Sequence, residues 1–200
     1  MLSFHPKDLT ERENYKLLIG SIIPRPIAFV TSKSKDGKVN AAPFSYFNIV
    51  SSNPPMISVS IQRKNGVLKD TARNIQETKE FVVHIVDESN VEEINKTAAS
   101  LAPSENEIDY TNLTQVDSET VAVPAIKEAK VRFECRLEKA ITLGEPAGTD
   151  LIIGNIVQYH IAENIYDSGR INKDILGAVS RLAGHDYAKI GDAFTIERPK

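Results

Sequence analysis

The sequence predicts a mainly β protein, a closed or partly closed barrel with a few short helices. Several segments read as strands, either by strict alternation or as β-branched and aromatic runs. Helical spacing is confined to short stretches. Neither GxGxxG nor GxxxxGK[ST] occurs, and repeated strand–helix alternation is missing, which excludes a dinucleotide-binding doubly wound sheet.

In chain order, residues 27–31 form a β-branched and aromatic run, a buried strand. The sequence KSKDGK follows, and Asp36-Gly37 is a hairpin turn signal leading into a strand at 39–42. Asn53-Pro54-Pro55 makes a turn or extended corner, since a residue before proline avoids the helical region. Residues 56–61 alternate, with Ile57, Val59 and Ile61 opposite Ser58 and Ser60. DTARNIQET at 70–78 opens with two capping residues and predicts a short helix. Residues 81–86 predict another buried strand. Ser89-Asn90-Val91-Glu92 is a capping-box pattern, with Val91, Ile94, Ala98 and Leu101 at helical spacing behind it. Residues 103–124 are polar and acidic, a loop excursion with at most a turn of helix. AKVRFECRL at 129–137 alternates strictly, with Lys130, Arg132, Glu134 and Arg136 on its wet face. Residues 151–161 predict a long strand with a bulge at Gly154.

The 200 residues suffice for one domain over 1–200 with a full core. A net charge of -3 provides no basic field, which argues against nucleic-acid binding. The single cysteine, Cys135, excludes a disulfide framework and fits a cytoplasmic protein. No apolar run is long enough to span a membrane. His5, His84, His160 and His185 are scattered without metal-ligand spacing, so no metal site is expected. Cys135 lies on the predicted core face and no GxSxG elbow occurs, which argues against nucleophilic catalysis.

Four segments carry candidate chemistry, each with a plain structural alternative. Pro24 and Pro26 bracket Arg25 and present its guanidinium on a stiff approach to a strand, either for an anion or as a surface arginine. Residues 40–55 hold no charge but many hydroxyls, amides and aromatics. They suit a planar heterocycle, or they are a bulged strand with core aromatics. Lys69 and Thr71 flank a helix start whose amides would favour a phosphate, with Asp70 capping the helix; the alternative is a solvated turn. His185 and Tyr187 lie in the polar stretch SRLAGHDYAKIGD, where a histidine can move a proton or donate to an anion, or simply sit in a surface loop.

Taken together, PRPIAFVTS (24–32), the turn at Asp36-Gly37, NAAPFSYFN (40–48), SSNPP (51–55), KDTARN (69–74) and RLAGHDYA (181–188) occur in an order that resembles the flavin reductase-like family, the FMN-binding split-barrel proteins related to flavoredoxins. That group includes reductase components of two-component flavin monooxygenases. The resemblance implies an antiparallel split barrel, a homodimer and FMN in a groove near the dimer interface. It implies that Ala42, Pro43, Phe44, Ser45 and Asn48 line the isoalloxazine. Lys69, Asp70 and Thr71 would lie near the ribityl phosphate, with Arg25 as a helper. His185 would serve the hydride step and Tyr187 the cofactor, near the flavin and nicotinamide. The family more often has glycine where this chain has Ala183, a methyl group that would narrow the nicotinamide approach. The implied activity is NAD(P)H:flavin reduction with NADH or NADPH as co-substrate, with a monooxygenase as possible partner. The alternatives are a flavoredoxin-like electron carrier and a non-catalytic flavin- or heme-binding split barrel.

Overall fold

The computed structural model describes residues 1–99, 106–144 and 148–199. Seven strands make one antiparallel sheet: β1 (Ala28–Lys33), β2 (Val39–Phe44), β3 (Phe47–Ser52), β4 (Pro55–Gln62), β5 (Glu80–Ile85), β6 (Val131–Leu143) and β7 (Thr149–Ile161). Their order is β2-β1-β5-β6-β7-β4-β3. The two edge strands, β2 and β3, are consecutive in the chain and joined by Ser45 and Tyr46 alone. Sheet ends tied by so short a link must come together, so the sheet curls into a barrel split between β2 and β3. The Ser60 amide donates to the Tyr46 carbonyl at 2.8 Å, which holds the link against β4.

Inside the barrel, Val30, Val59, Ile61, Phe81, Val83, Cys135 and Ile152 form the main core. Burial raises the Cys135 thiol pKa, as expected of a core cysteine. The pairing of β6 with β7 slips between Ile153 and Gly154, where the bulge is expected. A Cβ at Gly154 would stand 2.3 Å from the Phe81 ring, so only glycine fits beside it. Pro43 sits in an edge strand, opposite Phe29, where its missing donor costs the ladder least.

Among the described residues four helices decorate the barrel: α1 (Glu11–Ser21), α2 (Asp70–Thr78), α3 (Val91–Lys96) and α4 (Lys173–Leu176). Helix α1 was not legible in the hydrophobic pattern, yet it carries a complete capping box. Thr10 and Glu13 exchange side-chain and backbone hydrogen bonds. The box expected at Ser89 does not form. Ser89 donates instead to the buried Asp87 carboxylate, the N-cap is Asn90, and its side-chain oxygen accepts the Asp87 amide. Helix α3 stops at Lys96, short of Ala98, and Leu101 lies outside the described residues.

The largest correction concerns the outer face of the barrel. Glu134, expected in water, is fully buried. The excursion predicted at 103–124 folds over that face; its residues 103–105 lie outside the described residues. It holds a 3-10 turn, Glu107–Tyr110, and a strand pair, Gln115–Val116 with Ala125–Ile126. Its Ile108, Leu113 and Ile126 pack with Phe29 and Val86, while Val121 and Val123 pack with Val82. Glu134 pins the excursion by accepting from the amides of Glu119, Thr120 and Val121 and from the Thr120 hydroxyl. His84 pins it again, accepting the Ile126 amide on Nε2 while Nδ1 lies 2.9 Å from the Phe29 carbonyl.

Candidate functional site

The barrel split is the centre of three adjoining clefts, all built around residues 42–48. One is lined by Ala42, Pro43, Phe44, Lys69, Asp70 and Thr71, with Lys64 beside them. The second is lined by Pro43, Phe44, Ser45 and Lys69 together with Arg181 and Gly184. The third, on the α1 side, holds Arg25, Ser45, Tyr46, Phe47 and Asn48. Nine of the sequence-predicted site residues therefore converge: Arg25, Ala42, Pro43, Phe44, Ser45, Asn48, Lys69, Asp70 and Thr71.

One local expectation fails, the capping role of Asp70. Lys69 is the N-cap residue of α2 and gives it no side-chain cap. Its ammonium stands 5.9 Å from the centre of the Phe44 ring and makes no ion pair among the described residues. Burial lowers its pKa, and Lys64 nearby lowers it further. Asp70 does not cap the helix; it pairs with Arg73 one turn on. Helix α2 thus begins with no side chain on its first amides, beside an unpaired cation. Thr71 is buried and its hydroxyl accepts from the Asn40 side chain at 2.8 Å, which ties α2 to β2 beneath the cleft.

Arg25 is buried as well, and its guanidinium is already engaged. Nη1 donates to the carbonyls of Ile19 and Ile22, at the C-terminal end of α1, and Nη2 donates to the Leu182 carbonyl at 2.8 Å. Among the described residues its Nε has no partner, nor has the buried hydroxyl of Tyr46. The Tyr46 pKa is raised mainly by burial. Arg25 therefore binds the loop at 182 to α1 while also lining two of the clefts.

The C-terminal segment is held by a small sheet in which Arg25–Pro26 pairs with Val179–Arg181, and that strand with Tyr187–Lys189. Gly184 reaches the cleft, but His185 is exposed and, like Tyr187, is not among the residues lining these clefts. The Tyr187 hydroxyl donates to the Asn95 side chain at 2.8 Å, and the Arg181 guanidinium stacks 4.4 Å from its ring centre. Sequence reasoning missed Arg181 and the α1 residues Tyr15 and Ile19 that wall the second cleft, where Tyr46, from the 42–48 segment, also lies. The Thr10/Glu13 pair was the available signal for α1.

No described helix is long and apolar enough to cross a membrane. No cluster of metal-ligating side chains occurs among the described residues.

Residues 19–174 match the flavin reductase like domain. A curated relative, YwrF of Bacillus subtilis strain 168, is 53% identical over 204 residues and covers both chains completely. The solved structure of nitrilotriacetate monooxygenase component B from Bacillus cereus is 57% identical, covers 98% of each chain and superposes with a TM-score of 0.96. The 2-nitrobenzoate 2-nitroreductase NbaA of Pseudomonas fluorescens is 31% identical with a TM-score of 0.89, covering 99% of this chain and 96% of its own. The convergence of residues 42–48 and 69–71 at the barrel split and the match over most of the chain lead to one conclusion: this protein belongs to the flavin reductase like family.

Proposed function

We propose that the protein binds FMN at the barrel split and works as an NAD(P)H:flavin oxidoreductase. The observation that carries this reading is Lys69, an unpaired, part-desolvated cation at an uncapped helix start, next to an uncharged seam with aromatic walls. These residues fit the group. The Lys69 ammonium and the first amides of α2 would hold the phosphate, and Ala42 to Asn48 would line the ring system. The redox chemistry would belong to the flavin, whose N5 takes hydride from nicotinamide C4. The chain's own work would be to hold the rings in register, to exclude water and to place donors where negative charge grows. Arg25 contributes a fixed positive charge beneath the seam. His185 and Tyr187, one residue to either side of Asp186 in the small sheet's turn, would approach the nicotinamide from the Gly184 rim, with Ala183 narrowing that entry. The protein would act as a homodimer, and the name of the Bacillus cereus relative suggests a monooxygenase partner that receives the electrons.

The test is an FMN titration followed by oxygen-free addition of NADH or NADPH. FMN should bind and then bleach. Binding without bleaching would leave the electron-carrier reading, and no binding at high micromolar FMN would sink the proposal. A second expected result concerns Lys69→Ala. Loss of a charge-assisted phosphate contact should weaken FMN by about 1.5–3 kcal/mol, roughly 10- to 150-fold. Riboflavin, which lacks the phosphate, should bind the variant and the parent alike. Equal weakening of both ligands would remove Lys69 from the phosphate site.

A further inference from the structure

The last described residues form an arm with nothing to rest on. Residues 190–199 have no helix or strand, are exposed throughout, and make no hydrogen bond or ion pair among the described residues. Yet Phe194 is 84% exposed and Ile196 79%, and in an extended chain these two lie on one face. Residues 193–196 carry no charge. A large aromatic and a β-branched side chain held in water are costly, which marks the arm as an element that docks.

The same chain carries an uncovered surface of matching character. The two edges of the sheet are treated differently. Strand β2 is packed by the Glu107–Tyr110 turn, by α2 and by α3, whereas the main contacts of β3 are β4 and Arg25–Pro26. Edge strands are normally blunted by charges or cover, but residues 40–55 contain no charged side chain. On β3, Ile49 is 77% exposed and Val50 46%. Beside it runs an apolar groove between α1 and β3, with Leu18, Ile22, Pro24 and Phe47 in its walls.

We propose that the arm of one copy lies along β3 of a second copy, with Phe194 in the groove between α1 and β3 and Ile196 against Ile49. This rests on the homodimer reading above and specifies its exchanged element. A second copy is the fitting occupant because arm and groove occur once per chain, so a two-fold exchange covers both pairs at once. Residues 193–196 carry no charge, and the one charged side chain lining the groove among the described residues, Arg25, is already engaged by backbone carbonyls, so the match asks for no charge partner. At full extension the arm reaches about 33 Å, enough to cross onto a neighbour. So placed, Phe194 of the partner subunit would wall the cleft that Ser45 and Asn48 line, and each site would be completed by the other copy.

The test uses a protein ending at Lys189 and, as a second variant, Phe194→Ser with Ile196→Ser. The substituted and deleted residues support nothing within their own chain, so both variants should fold. Losing two large apolar side chains from an interface should raise the dimer dissociation constant about 100-fold or more in sedimentation equilibrium. Position is tested by mixing Ile49→Cys chains with Ile196→Cys chains under mild oxidation, which should give a disulfide-linked pair. Cys135 is buried and will not compete. A truncated protein that dimerises as tightly as its parent, or a mixture that fails to cross-link, would overturn the exchanged arm while leaving the dimer standing. A parent that is monomeric at micromolar concentration would overturn the dimer and the arm together.

Discussion

Arg25→Ala is expected to lower the unfolding free energy by about 3–5 kcal/mol, read as a shift of the urea midpoint at unchanged slope. The guanidinium is nearly excluded from water and satisfies three carbonyls that have few other means of pairing. Two of them, Ile19 and Ile22, end α1, where the helix dipole is negative and a cation is favoured. The third, Leu182, belongs to the turn that leads to Gly184 and His185. Deleting the side chain therefore unpairs the end of α1 and the C-terminal small sheet at once, on both sides of the barrel split. Arg25→Lys keeps the charge but not the fork, and a single ammonium cannot reach all three carbonyls in this geometry. It should recover part of the loss only. A midpoint for Arg25→Ala that implies less than 1 kcal/mol of loss would show that α1 is anchored by other means.

That residue also shows how far the sequence could be read. The two prolines around Arg25 do present it stiffly, as their fixed φ values require, and the segment does lead into a strand. What local sequence did not reveal was that a helix would end just before Arg25 and, together with the distant residue 182, supply carbonyls to the fork. The same limit appears at Glu134. Alternation placed it on the outer face of β6, correctly, and only the long-range fold of residues 106–126 over that face decided that it would be dry. Strand identities were legible because alternation and β-branched runs are local signals, and α2 was legible over 70–78 because Asp70 and Thr71 mark its start. The site was legible as a set of segments. The way the barrel split gathers 42–48 and 69–71 follows from the strand order, which no local pattern encodes. Lys69 was picked for its charge, but its lack of an ionic partner and its place over Phe44 are facts of packing.

Acid is expected to loosen the outer face of the barrel before the core, in two stages set by His84 and Glu134. Burial pushes the His84 pKa down from 6.5 to about 4, the Phe29 carbonyl opposing this only in part. Its Nε2 is occupied by the Ile126 amide, so the ring is neutral with its proton on Nδ1, and a second proton has no acceptor. A folded value below the unfolded one means that the unfolded chain takes up the proton first. The stabilisation is thus complete above about pH 6.5 and is lost as pH falls towards 4, on the order of 3 kcal/mol in all. Glu134 acts lower on the scale. Burial alone would raise its pKa, but the donors from Thr120, Glu119 and His160 outweigh that and hold it at about 2, against 4.5 unperturbed. Its contribution persists above pH 4.5 and is lost between there and about pH 2. Both groups grip the same excursion, His84 at residue 126 and Glu134 at residues 119–121. Amide protection factors at those positions should therefore fall by pH 5 while those of β1 and β5 are kept. In His84→Gln the neutral amide cannot titrate, so the slope of stability between pH 6.5 and 4 should flatten, at the cost of a lower plateau at pH 7. An unaltered slope in that variant would move the acid sensitivity to some other group, and uniform exchange across the sheet would mean that the barrel opens as one unit.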